Sequence, residues 1–170
     1  MKHSLRLTLV ITMTFAAAIA AARAQAQAPA APLVSFNGGI GVNPVANIGM
    51  ANTVRGVAPG GLIWVIRDLD ALVDVTGHIS VVGVGLLLGA GDVIGTNGGQ
   101  SVYATLFCGP AGSATASSST ATGVPLDSNG DFGINDVLTP VPANPCVNPV
   151  LLIRSATVAS NPWFAAAIPK

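Results

Sequence analysis

The absence of glutamate constrains the fold of this chain more than any other sequence feature. After residue 28 the chain has one lysine, Lys170, and one glutamine, Gln100, whereas valine, isoleucine, threonine and glycine are abundant. Long unbranched side chains favour helices, whereas β-branched residues favour strands. The same part of the chain keeps no 3.6-residue apolar period, and several of its segments alternate between apolar and polar residues. The sequence therefore predicts an all-β fold.

The first 28 residues have the features of a secretory signal peptide. Lys2 and Arg6 precede an apolar run over residues 7–20, and sites of the Ala-x-Ala type follow between Ala22 and Ala28. The run is shorter than the roughly 20 residues that span a bilayer as a helix. We therefore expect residues 1–28 to be cleaved, the protein to be periplasmic or extracellular, and the mature chain to have no membrane span. The alternative is an uncleaved N-terminal anchor.

Once the predicted signal peptide is removed, the chain is mildly acidic. Four basic side chains remain against seven aspartates, which gives a net charge of −3. Nucleic acids and anionic membrane surfaces bind clustered lysine and arginine, so this balance argues against either as a partner. We expect the partner to be a protein or a glycan at the cell surface. The basic residues are Arg55, Arg67, Arg154 and Lys170.

The chain has two cysteines, Cys108 and Cys146. An even cysteine count in an exported protein normally means a disulfide. The bond would close a loop of about 39 residues and stabilise the fold by about 4 kcal/mol in the chain-entropy model. The alternative is a pair of reduced, buried thiols.

Residues 29–33 form a Pro/Ala-rich linker, and the clearest strand signal after it lies in residues 62–75. Its first half is continuously apolar, which is typical of a buried strand, and its second half alternates between two faces. Thr76-Gly77 then turns the chain into residues 78–88, so the two runs predict a β-hairpin. The residues of one face are Leu69, Ala71 and Val73, and those of the other are Asp68, Asp70 and Asp74.

Further strand-like runs are separated by short, turn-forming segments. Two of them flank Asp127-Ser-Asn-Gly-Asp131 and predict a second hairpin. The total of about seven to nine strands predicts a single antiparallel β-sandwich over residues 34–170, immunoglobulin-like or similar. The runs are Val34–Val42, Gly49–Val57, Ser101–Cys108, Val124–Leu126, Phe132–Leu138, Val150–Ala156 and Trp163–Ile168.

The segment Asp127–Asp131 also resembles the start of a calcium-binding loop. Its glycine precedes Asp131 instead of following it, and the chain has no glutamate for the twelfth position. Asn-Gly between two apolar runs is a strong hairpin signal in its own right. We therefore expect a plain turn.

The sequence offers few candidates for chemistry. Asp68 and Asp70 would stand roughly 7 Å apart on one strand face, which suits a carboxylate pair as well as an ordinary solvated face. His78 is the sole histidine after residue 28, and the glycine-rich segment 89–99 lacks the Lys-Ser/Thr of a phosphate-binding loop. We expect no catalytic residue, no metal and no cofactor. Trp64 should lie in the core; Trp163 could be packed, or exposed so that Asp68, Asp70 and Trp163 form a ligand-binding face.

Several motifs taken together resemble a group of small exported bacterial all-β proteins of unknown function. These are Pro59-Gly-Gly-Leu-Ile-Trp-Val-Ile, Gly77-His-Ile-Ser-Val-Val-Gly, Val102-Tyr-Ala-Thr-Leu-Phe-Cys, Leu126-Asp-Ser-Asn-Gly-Asp-Phe, Asn148-Pro-Val-Leu-Leu-Ile and Trp163-Phe-Ala-Ala. The resemblance covers most of residues 34–170. It implies a secreted all-β domain and carries no catalytic residues.

These observations favour a non-enzymatic binding or structural domain outside the cytoplasm. One alternative is a carbohydrate-binding module or weak glycan hydrolase that uses Asp68, Asp70 and exposed aromatic side chains. Another is a small protease inhibitor, with the proline-rich segment 139–149 around Cys146 as a rigid inhibitory loop.

Overall fold

The computed structural model of the chain describes residues 30–45 and 52–170. The predicted signal peptide, residues 1–28, lies outside the described residues. The described residues form eleven strands and contain no helix, so the predicted all-β fold is confirmed. The strands are β1 (Pro32–Gly41), β2 (Trp64–Val65), β3 (Asp68–Asp74), β4 (His78–Val84), β5 (Leu87–Leu88), β6 (Ser101–Cys108), β7 (Thr115–Ser118), β8 (Val124–Pro125), β9 (Phe132–Val137), β10 (Val150–Ser155) and β11 (Trp163–Pro169).

Nine of the strands belong to one antiparallel sheet that forms a sandwich. Its order is β7-β6-β10-β11-β1-β3-β4-β9, with β8 also paired to β6, while β2 and β5 form a separate small sheet. Side chains from both halves of the large sheet share one core, for example Leu106 and Ile153 with Leu69 and Val81. The layers are continuous through β11 and β1, whereas an immunoglobulin domain has two separate sheets.

The two ends of the large sheet also meet. Ser118, at the end of β7, and Thr139, just after β9, exchange two backbone hydrogen bonds of 2.9 and 2.8 Å. Near them, the carboxylate of Asp136 on β9 accepts a hydrogen bond from the backbone N–H of Thr120 (2.7 Å). These contacts close the sandwich along the seam between β9 and the β7–β8 segment.

The β-hairpin predicted over residues 62–88 is confirmed. Strands β3 and β4 pair in register from Asp68↔Val84 to Val73↔Ile79, and the apolar face of β3 is buried while Asp68 and Asp70 are exposed. Beyond a break in the ladder, the same two segments pair again, as β2 with β5. Gly85 occupies this break with φ +70°, a conformation that favours glycine.

The second hairpin is not formed. Strand β8 pairs with β6 and β9 pairs with β4, so residues 127–131 join the two layers of the sandwich as a turn. The carboxylate of Asp127 accepts hydrogen bonds from the N–H groups of Asn129 (2.7 Å) and Asp131 (2.9 Å). The Asn-Gly signal correctly indicated a local turn. The prediction failed because turn chemistry does not specify which strand edges the flanking residues join.

Strand β1 connects the two layers because it pairs with both β11 and β3. The pairing of β1 with β11 shifts register between Phe36 and Gly39, and Gly38 has φ +87°. The strand begins at Pro32, inside the segment predicted as linker. Residues 49–57 were also predicted to form a strand. In the described part of this segment, strand-like pairing is limited to an isolated β-bridge between Val54 and Val57.

Candidate functional site

The side chains predicted as a ligand-binding face are not brought together. Asp68 and Asp70 are exposed on the outer face of β3, where Asp70 accepts a hydrogen bond from Asn37 and lines a shallow groove of about 320 Å³. Trp163 does not line that groove: its side chain is buried, and its indole N–H donates to the carbonyl of Asn52 (3.0 Å).

The aromatic side chains of the described residues all lie in the interior. The most exposed of them, Phe132, is 7% exposed, and Trp64 is buried as predicted. A protein that stacks sugars on its surface needs an open aromatic face. The described residues offer no such face.

Several carboxylates are engaged by the backbone. Asp74 accepts hydrogen bonds from the hydroxyl (2.6 Å) and N–H (2.8 Å) of Thr76 and from the N–H of His78, and these bonds hold its pKa below the ordinary value. The N–H groups of Thr120 and Val137 similarly lower the pKa of Asp136. Within residues 30–45 and 52–170, no three histidine, cysteine or acidic side chains are grouped so as to hold a metal ion.

The two cysteines are bonded to each other, with their Cα atoms 4.9 Å apart. The disulfide fastens segment 139–149 to the end of β6, where the N–H of Gly109 also donates to the carbonyl of Val147 (2.6 Å). Val141 and Val147 of this segment are exposed, but Pro142 between them is buried. Pro142 therefore lies against the sandwich, whereas the middle of the segment, residues 143–145, is exposed.

A larger groove, lined mostly by apolar residues, lies beside the small β2–β5 sheet, and we call it the end groove. Its volume is about 410 Å³. The stacked rings of Trp64 and Phe164 line its floor, with centroids 4.2 Å apart and planes inclined by 20°. At its rim stand Leu62, Val93 and Val158, which are 45, 45 and 40% exposed. These side chains make the groove an apolar recess open to solvent.

The glycine-rich segment 89–99 builds one wall of the end groove. Leu88 donates its N–H to the carbonyl of Thr96 (2.9 Å) and accepts the N–H of Gly95 (2.8 Å), which folds the segment back on β5. At Gly98, which has φ +58°, a Cβ would lie 3.5 Å from Trp64 Cη2, so the backbone packs closely over the indole. The wall is therefore preformed.

Asn97 anchors this wall to the neighbouring turn. Its side-chain N–H groups donate to the carbonyls of Leu126 (3.1 Å) and Asp127 (2.8 Å), and its side-chain oxygen accepts the N–H of Gly99 (2.9 Å). One amide side chain thus joins the groove wall to the turn between β8 and β9.

The end groove was not predictable from the sequence because its residues come from three separate segments, 59–64, 88–100 and 158–164. One local signal was present: Val93 and Ile94 are apolar residues inside a glycine-rich loop, where polar residues are usual. Exposed apolar side chains that cluster around a recess mark a binding site more often than scattered ones do.

The chain matches no known protein family, no curated protein and no solved structure. Its resemblance to small exported bacterial proteins therefore stays a prediction. No helix in residues 30–45 or 52–170 has the length and apolarity to cross a membrane.

Proposed function

We propose that this protein is an exported, non-catalytic binding domain that holds a small apolar ligand in the end groove. The observation that carries the proposal is the recess of about 410 Å³ floored by Trp64 and Phe164. Ligand sites are typically concave, mostly apolar, preformed, and about 300–1,000 Å³ in volume.

Export is supported by two independent features. The basic and apolar residues of segment 1–28 and its Ala-x-Ala sites are typical of a signal peptide. The bond between Cys108 and Cys146 is the state expected in an oxidising compartment such as the periplasm or the extracellular space.

The hydrogen bonding of three carboxylates also favours a binding role over a catalytic one. Asp74, Asp127 and Asp136 accept backbone hydrogen bonds that hold turns and the seam. A general acid or base needs a carboxylate presented to a substrate, usually with a pKa close to the working pH. The pKa values of Asp74 and Asp136 are lowered, which is the opposite direction to that of a catalytic acid.

The two alternative functions stay predictions with weaker support. A glycan-binding role would use the groove beside Asp70, where the aromatic side chain of the lining, Phe36, is 1% exposed and offers no surface for stacking a sugar. A protease inhibitor would use segment 139–149, where residues 143–145 are exposed but Pro142 is buried against the sandwich.

Binding of a neutral fluorescent probe tests the proposed function. N-phenyl-1-naphthylamine becomes strongly fluorescent when it leaves water, and we expect the purified protein to bind it. In Leu62→Asp, binding should weaken at least about tenfold, because the probe would have to desolvate a carboxylate at the rim. The matched control is Leu72→Asp, since Leu72 is 47% exposed on the outer face of β3 against 45% for Leu62. The proposal fails if the protein does not bind the probe, or if both variants lose binding equally.

A further inference from the structure

We infer that the ligand of the end groove is an uncharged molecule with an apolar body and a single neutral polar group, such as an alcohol, ketone or ester. This inference rests on the proposed function and adds the chemical class of the ligand. Fatty acids and amines are thereby excluded as preferred ligands.

Among the described residues that line the end groove, none is charged. Taking an ionised group out of water without a partner costs far more than apolar contacts return. Arg154 lies near segment 158–164, which contributes to the groove lining. Its guanidinium is engaged elsewhere: it donates to the carbonyl of Asn161 (2.9 Å) and lies 5.3 Å from the centre of the Tyr103 ring. Among residues 30–45 and 52–170, no arginine or lysine lines the groove to pair with a carboxylate.

The lining of the end groove includes a neutral polar side chain, Gln100. Ser155 Oγ accepts the N–H groups of Thr157 (3.2 Å) and Val158 (3.0 Å), so its own hydrogen is donated to Gln100 Oε1 (2.9 Å). This network fixes the orientation of the Gln100 amide, because the oxygen must face Ser155.

The Gln100 amide nitrogen is therefore the atom that can donate a hydrogen bond to a ligand. One of its two N–H groups reaches the carbonyl of Gly98 at 3.3 Å, and the other has no acceptor among the described residues. Gln100 lines the end groove together with the exposed Ser160. A hydroxyl or carbonyl oxygen on the ligand would accept the hydrogen bond from Gln100.

The size of the groove also favours a small molecule. Its volume is about 410 Å³, and because the rings of Trp64 and Phe164 are only 4% and 3% exposed, an occupant touches a small part of each ring. A small molecule fits this volume, whereas the flat surface of a second protein would rest on Leu62, Val93 and Val158 without filling the recess.

Three probes that share one carbon skeleton test the ligand class. Octan-1-ol, octanoate and octylammonium are titrated against protein-bound N-phenyl-1-naphthylamine at neutral pH. We expect octanol to displace the probe, and the two ions to be at least about tenfold weaker. If octanoate or octylammonium competes as well as octanol, the inferred class is wrong while the proposed function stands. If the naphthylamine itself does not bind, the proposed function fails first.

A charge introduced at the rim sharpens this test. In Val158→Lys, octanoate should gain affinity relative to octanol by about tenfold, because the new ammonium pairs with the carboxylate. Val82→Lys, on the outer face of β4, is the matched control and should leave the ratio unchanged. An unchanged ratio in Val158→Lys would contradict the inference, since the uncharged lining would then not be what excludes the anion.

Discussion

The end groove and the outer face of β3 and β4 expose apolar side chains to a similar degree but differ in the grooves that these side chains border. Leu62 at the rim of the end groove is 45% exposed, and Leu72 on the sheet face is 47% exposed. Leu72 lines the groove of about 320 Å³ beside Asp70, whereas Leu62 borders the recess of about 410 Å³. The larger recess is lined by the stacked rings of Trp64 and Phe164. Exposure of single apolar residues is ordinary on protein surfaces, so the volume of the recess and its aromatic pair identify the site.

The largest expected effect comes from a glycine beneath the groove floor. A Cβ at Gly41 would lie 2.1 Å from the carbonyl oxygen of Trp64, and this backbone contact cannot relax by a side-chain rotation. Gly41→Ala should therefore lower the free energy of unfolding by at least about 3 kcal/mol. Denaturant titration measures the loss.

The matched control is Gly61→Ala, because a Cβ there meets no atom within 4 Å. Its stability should stay within about 0.5 kcal/mol of the parent protein. Equal stability of the two variants would contradict the close approach of β1 to β2 that supports the groove floor.

An intermediate effect on stability is expected for Asn97, at the end groove, and a smaller one for Asn37, on the outer face of the sheet. Asn97 makes three hydrogen bonds that anchor the groove wall, so Asn97→Ala should cost about 1–3 kcal/mol and weaken probe binding. Asn37 bonds to Asp70 on the exposed sheet face, so Asn37→Ala should change stability by less than about 0.5 kcal/mol. Denaturant titration and probe binding measure both variants. Loss of probe binding in Asn37→Ala would break the comparison.

The smallest expected effect on stability concerns Asp136, at the seam between β9 and the β7–β8 segment. Asp136 has a lowered pKa, so its bonds to Thr120 and Val137 contribute stability above the ordinary carboxyl pKa of 3.8, and this contribution is lost as the pH falls through the folded-state value. Asp136→Asn should be less stable than the parent protein at pH 6, and the difference should shrink by pH 3. Urea midpoints at the two pH values measure it. A difference that grows on acidification would contradict the assignment.

The fold was predictable from the sequence where the signal was local. The alternation of Asp68–Asp74 and the Thr76-Gly77 turn specified the first hairpin, because strand period and turn chemistry act within a few residues. The partners of β8 and β9 were not predictable, since both edges are supplied by residues distant in sequence. The same holds for the end groove, where Trp64 and Phe164 meet across a separation that periodicity does not encode.

The two tryptophans provide the most direct test of the central claim, which is that the ligand enters the end groove. Trp64 lines the groove floor, whereas Trp163 donates a hydrogen bond to the carbonyl of Asn52 and does not line the groove. Tryptophan emission is recorded during titration with octanol in Trp64→Phe and in Trp163→Phe, each of which retains one indole. The account predicts that octanol changes the emission in Trp163→Phe and leaves it nearly unchanged in Trp64→Phe. A response that persists in Trp64→Phe and disappears in Trp163→Phe would contradict it.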